Sequence, residues 1–432
     1  MHFLPLTVLI AAISVAADSN HVVPNPLPPH TNGKICQVKA RGHREDDVPN
    51  IKQAFEECNN GGTVVFPEGE NYWIAQRLNP VLDHVTIEWR GVWTLSDNLT
   101  YWRDPNNTYP IHFQNHHAAL AISGDFIHIN GYNTGGVFGN GNVWYDAEQA
   151  VTQPVRPMNF VWWNASQVFV ENFSVVDPPL WSINLMNITN AWFNNIYVNA
   201  TAVNAPYGAL WVQNTDGFDT LDCNNIKLTN FVYQGGDDCV AIKPRSYNTY
   251  IQNVTCHGGN GIAIGSLGQY QEDSSVINAL IKDVNVIIHN EDMHNSAYIK
   301  TWMGASLPQS SYNSAGLPNG GGWGVVQNIR FENFWVQGAA SGPSITQDNG
   351  DNGSYQGTSK MEISNIAFVN FTGYALPKKN QTGSISCSTV HPCFNIAYQN
   401  VTLAVGQNGT ETEIHGPCEY TAHNGVTGYL GC

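Results

Sequence analysis

The stretch Ile226-Lys227-Leu228-Thr229-Asn230-Phe231 carries the signature that decides the fold. Its apolar and polar residues alternate as in a half-buried strand, and Asn230 breaks the alternation with a turn former. The unit recurs as Glu171-Asn172-Phe173, Asn194-Asn195-Ile196, Gln252-Asn253-Val254, Lys282-Asp283-Val284, Glu332-Asn333-Phe334, Val369-Asn370-Phe371 and Gln399-Asn400-Val401. Steps between the central residues are 23, 35, 23, 30, 50, 37 and 30. Two steps of 23 suggest one coil of a solenoid; longer steps suggest a coil plus an insertion, and the step of 50 has room for a second coil. No long segment beyond the first sixty residues has helical apolar spacing. The expected architecture is all-β: a right-handed parallel β-helix with Val, Ile, Leu and Phe stacked inside. A β-sandwich or propeller with irregular strands is the alternative. Asp46 to Cys58 reads as a short helix with Ile51, Ala54 and Phe55 on one face. It would cap the open end of the coil stack.

Two short acidic stretches lie about one coil apart: Asn214-Thr215-Asp216-Gly217 and Gly235-Gly236-Asp237-Asp238. Stacked coils would bring their carboxylates into one site, as acid/base hydrolysis of a glycosidic bond requires. Taken singly, each Asp beside Gly reads as a turn residue. Crowded carboxylates cannot all ionise cheaply, so one should stay protonated near the working pH.

Composition narrows the partners. The formal charge is −16 on 432 residues, which excludes nucleic acid. Charged residues are only 12%, so the chain is not a disordered acidic one. Met1–Ala17 has the length and small-residue finish of a secretory signal and is too short to anchor in a membrane. Residues 18–432 form one domain, a monomer, opening on the Pro-rich tail Pro24–Pro29. About a dozen Asn-X-Ser/Thr sites, among them Asn98, Asn164, Asn187 and Asn408, and nine cysteines fit an extracellular protein. Local spacing suggests Cys36–Cys58, Cys239–Cys256, Cys387–Cys393 and Cys418–Cys432, with Cys223 left over, although spacing alone does not fix connectivity. The second pair would staple adjacent coils beside the acidic stretches. No metal-binding signature is present, and no cofactor is implied.

In order along the chain, Gly139-Asn140-Gly141-Asn142-Val143-Trp144-Tyr145-Asp146, Asn214 to Asp219, Gly235 to Cys239, Gly258-Gly259-Asn260-Gly261 with Ile264-Gly265-Ser266, and Tyr298-Ile299-Lys300 resemble the polygalacturonase-type pectin hydrolases of glycoside hydrolase family 28. The fungal exo-acting members are nearest, through Ile264 to Tyr270 and Tyr298 to Trp302. The resemblance implies hydrolysis of galacturonan with inversion. Asp237 would be the general acid, Asp216 and Asp238 would hold and activate water, and Lys300 would bind a substrate carboxylate. Asp219 and Asp222 lack a matching carboxylate one coil away and are read as structural residues.

Three positions depart from the family pattern. Tyr298 replaces an Arg two residues before Lys300, Asn260 replaces a His, and Asn349 replaces a Tyr common in endo-acting relatives. An Asn cannot transfer a proton at neutral pH but can position an acid. His257 would substitute if the turn swings it round, and Gln347 is a candidate cleft residue. Trp302 and Trp323 are candidates for stacking on sugars or for the core. The long stretch Met303–Gly324 is expected to close one end of the cleft and favour exo action. Alternatives are release of galacturonate from rhamnogalacturonan or xylogalacturonan, a lyase, and an inactive pectin-binding β-helix. A lyase would need calcium carboxylates and an Arg beside the Asp cluster, and no such Arg is evident.

Overall fold

The structure, a computed structural model, describes residues 23–289, 294–309, 317–377 and 381–432. The secretory-type segment Met1–Ala17 and the middle of Met303–Gly324 lie outside the described residues.

Each Asn-centred unit lies on a long strand. Val161–Val176, Ile183–Asn199, Asn224–Gln234, Ser246–His257, Val276–Ile287, Trp323–Ala339, Lys360–Ala375 and Phe394–Val405 pair in that order, all parallel. A second stack of short strands, Phe218–Leu221, Val240–Ile242, Ile262–Leu267, Ala297–Trp302, Ser344–Asn349 and Ser384–Ser386, is parallel too. The chain is a right-handed parallel β-helix. The step of 50 hides no second coil. Lys282 pairs directly with Glu332, and Asn333 Nδ2 donates to Asp283 Oδ1 at 2.9 Å.

The recurrent Asn has a physical cause. Asn172, Asn195, Asn230, Asn253, Asn333, Asn370 and Asn400 all have φ between 53° and 59°. This left-handed region suits Asn, whose short polar side chain can hydrogen-bond locally. Each amide also reaches one coil back: Asn195 to Asn172 at 2.7 Å, Asn253 to Asn230 at 2.6 Å, Asn370 to Asn333 at 3.0 Å. The ladder thus satisfies polar groups at the corner of every coil. Inside, like residues stack. Phe331 lies on Phe368 with centroids 5.1 Å apart, and Phe334 on Phe371 at 4.5 Å. Such pairs contribute about 0.5–1.5 kcal/mol each beyond their burial.

Helix α1 (Val48–Cys58) covers the first coil with Val48, Ile51, Ala54, Phe55 and Cys58 buried. Cys36–Cys58 ties it to the first strand. The other three disulfides also form as spacing suggested, and Cys223 is free and buried. The Cys239–Cys256 bridge differs from expectation in one respect. Cys239 directly precedes the strand Val240–Ile242 and Cys256 is the penultimate residue of the long strand Ser246–His257 that follows in the same turn, so the bridge closes one coil on itself. The motif Gly141–Glu148, with no helical pattern in the sequence, is a short helix entered through a left-handed Asn140.

Candidate active site

The short-strand stack positions the site. Alternation sends Phe218, Val240 and Ile262 into the core, so Asp219, Ala241, Ala263 and Tyr298 form one outward row. Lys243 and Lys300 stand two residues further along their chains. Ala241 and Ala263 carry only methyl groups, which leaves an open floor where longer side chains can meet above the sheet.

The acidic residues sit in the turns entering these strands. Gly217 N donates to Asp238 O at 2.9 Å, so Asp216 and Asp238 occupy successive coils. Asp238, not Asp237, is the residue in register with Asp216. Gly217 has no room for a side chain, because a Cβ would stand 2.5 Å from Cys239 O. Gly259, at φ 74°, passes Asp237 O closely enough that a Cβ would meet it at 2.1 Å. Carboxylate oxygens of Asp216, Asp237 and Asp238 lie within 4.8 Å of one another.

Each carboxylate has different partners. Asp237 Oδ2 accepts from Asn214 N at 2.8 Å; its Oδ1 accepts from Asp238 N at 2.9 Å and Asn260 Nδ2 at 3.1 Å. Asp238 accepts from Tyr298 Oη at 2.5 Å and Lys300 Nζ at 2.9 Å. Asp216 Oδ2 lies 3.2 Å from Lys243 Nζ, which also stands 3.4 Å from Asp219 Oδ1. A cation binding the three aspartates would compete with both ammonium groups.

Charge separates the carboxyls chemically. Burial, then the Asp238 charge, raises the pKa of Asp237 despite Lys300. Burial opposes ionisation of Asp238 too, but Lys300, Lys243 and the Tyr298 hydroxyl outweigh it and hold its pKa below the usual value. Asp216 is pushed well up by burial and by Asp219. The site therefore pairs a carboxyl that keeps its proton with a neighbour that gives it up.

Lys300 and Tyr298 open onto a cavity of about 400 Å³ lined also by His294, Ser344, Thr346, Asn349 and Ser384. An aromatic cluster forms a wall beside Lys243. Trp181 lies against Lys243, and Phe113 and His116 pack on Trp181. Phe113 meets Tyr270 edge-on at 5.8 Å. A buried strut reinforces it: Gln114 donates to Gln269 at 2.8 Å, and Gln269 donates to Asn319 at 3.1 Å.

The structure thus gathers Asp216, Asp237, Asp238, Asn260, Tyr298 and Lys300. It does not bring in His257, which ends the strand Ser246–His257 and pairs with Gln234 and Ile287. Gln347 does not line the cleft either. It is fully buried and donates to Met361 O at 2.9 Å, because its strand turns that residue inward. Trp302 and Trp323 lie outside the cavity, Trp323 half exposed. Sequence reading passed over Lys243 and left Asp219 aside. The alternation in Phe218-Asp219-Thr220 and Ala241-Ile242-Lys243 already places both on the outward face.

Residues 76–419 match the family model for glycosyl hydrolases family 28. The chain is 67% identical over 401 residues to the "Putative galacturan 1,4-alpha-galacturonidase C" of Aspergillus niger, covering 93% of this chain and 94% of that one. It is 60% identical to the Neosartorya fischeri protein of the same name, covering 92% and 93%. Among solved structures, the endo-xylogalacturonan hydrolase from Aspergillus tubingensis superposes with a TM-score of 0.77 at 24% identity, over 92% of this chain and 99% of that one. That likeness is one of fold.

Proposed function

The chain belongs to glycosyl hydrolases family 28, and we propose that it is a secreted exo-polygalacturonase releasing terminal α-1,4-linked galacturonate from pectin. The observation that carries the reading is the convergence of Asp216, Asp237 and Asp238 from successive coils beside Lys300. Asp237, kept protonated, gives its proton to the glycosidic oxygen as the bond to C1 breaks. Asp238, kept ionised, and Asp216 hold a water, take one of its protons and leave its oxygen to attack C1. Lys300 meets a substrate carboxylate from the cavity. Asn260 cannot replace a titrating His, and its hydrogen bond to Asp237 makes it a positioning group for the acid.

Inversion is the finer part of this reading. Inverting carboxyl pairs are usually about 6.5–9.5 Å apart. The 4.8 Å here is a limit on nearest oxygens, which runs shorter than separations between carboxyl centres. Exo action is supported by the aromatic cluster of Phe113, Trp181 and Tyr270, whose Trp181 lies against Lys243, the ion-pair partner of Asp216, while the cavity opens beside Lys300. Secretion is supported by Met1–Ala17 and the four disulfides.

End-product chromatography tests the proposal on homogalacturonan, rhamnogalacturonan and xylogalacturonan in parallel. Monogalacturonate alone from the first minutes of homogalacturonan digestion is expected, with the β-anomer first by NMR. Early mixed oligomers, or unsaturated products absorbing in the ultraviolet, would overturn it.

A further inference from the structure

Phe113 and Tyr270 of the aromatic wall also line a second cavity, of about 550 Å³, together with Trp163 and Leu221. None of the catalytic acids lines it, and neither does Lys243 or Lys300. Its charged lining is Asp222, Glu272 and Arg245, and Arg245 is already bound by both carboxylates. A carboxylate-bearing sugar entering here would meet two like charges and a cation that is already paired. The cavity therefore suits an uncharged sugar, with an aromatic ring for its apolar face and polar groups for its hydroxyls.

Two Asn-X-Ser/Thr sites stand on the rim, Asn164-Ala165-Ser166 and Asn187-Ile188-Thr189. They lie one coil apart, and Asn187 Nδ2 donates to Asn164 Oδ1 at 2.7 Å. That bond orients the Asn164 amide. Asn187 spends its own nitrogen on it, whereas Asn164 Nδ2 is exposed and has no acceptor among the described residues. Asn172, Asn253, Asn370 and Asn400, in sites of the same kind, all donate through Nδ2 to the coil before. Asn164 is thus the site at which a free amide nitrogen, an aromatic neighbour and an enclosed space coincide.

We propose that Asn164 carries an N-linked glycan whose first N-acetylglucosamine residues seat in this cavity against Trp163. This rests on the reading of the chain as secreted, because the sugar is added in the secretory pathway. In that step Nδ2 loses a hydrogen and bonds C1 of the sugar, while the bond from C1 to a lipid-linked pyrophosphate donor breaks. Transfer precedes folding, so the fold decides which modified Asn it can accommodate and where the sugar then lies. The seated glycan covers apolar surface of Phe113 and Tyr270 that the wall itself leaves open.

Glycopeptide mass spectrometry of the protein secreted from a fungal host tests occupancy. Asn164 is expected to be modified. A bare Asn164 with glycans on the exposed Asn98 and Asn408 overturns the proposal and leaves secretion standing. A protein without any glycan brings down the secretion reading and the proposal with it. Seating is tested by the rate at which a peptide-N-glycosidase releases each glycan from the folded protein. Release from Asn164 is expected to be about three- to tenfold slower than from Asn98 or Asn408, the worth of one stacked ring. Trp163→Ala should abolish that difference. Equal release rates in the native protein, or protection that survives Trp163→Ala, refute the seat. If the variant does not melt cooperatively, the native rates alone decide.

Discussion

Replacing Asp237 by Asn isolates proton donation from everything else the residue does. The amide fills the same space, and its oxygen can accept from Asn214 N or from Asp238 N and Asn260 Nδ2, but not from both sides at once. Its NH2 then faces a donor, which costs about 1–3 kcal/mol if nothing relaxes. An opposing effect comes from charge. The pKa of Asp237 is raised in the fold, so its stabilising protonated form is fully present below the unfolded carboxyl pKa and is lost as pH rises through the folded value. At neutral pH the native protein bears this penalty and the variant does not. Melting temperatures should therefore differ little, with the comparison shifting in favour of the variant as pH rises from the unfolded carboxyl pKa through the raised folded value. Catalysis should behave otherwise. A positioned general acid is worth about 10²- to 10⁴-fold, or roughly 3–5 kcal/mol of barrier. The assay is reducing-end kinetics on trigalacturonate, with calorimetric titration of the same ligand and a melt at each pH. Turnover lost with binding and melting kept is expected. Turnover within a factor of three of the native protein (roughly 0.6 kcal/mol) would remove Asp237 as the acid.

Lys300→Met should raise KM for galacturonate oligomers about ten- to hundredfold, the worth of one charged hydrogen bond. It should also move the acidic limb to higher pH, because Lys300 is the leading influence that lowers Asp238 against burial; steady-state kinetics across pH would show an unchanged limb if the contact is idle. Replacing Cys239 and Cys256 together by Ala releases a crosslink spanning 17 residues and should cost about 3 kcal/mol in chemical denaturation. An unchanged midpoint would mean that the closed coil adds nothing to stability. Gln269→Ala breaks the strut between Gln114 and Asn319 and should let mixed oligomers appear beside monogalacturonate. A single product on chromatography would show that the wall is not what excludes internal bonds.

The sequence alone determined the coil, because a parallel β-helix writes its geometry locally. Asn recurs where φ must be near +55°, apolar residues recur at period two, and Asp216 and Asp238 stack because one turn separates them. The acids and Lys300 were legible for the same reason. What only the tertiary structure decided are the contacts across insertions of irregular length. Nothing local says that Gln114 meets Gln269, that Trp181 covers Lys243, or that the step of 50 is a single coil. Nor does spacing set the inward or outward turn of Gln347, or the drift of His257 away from the acids. Ionisation is likewise collective: neighbouring Asp237 and Asp238 acquire opposite pKa shifts only because folding buries both while placing two cations and a hydroxyl around one of them.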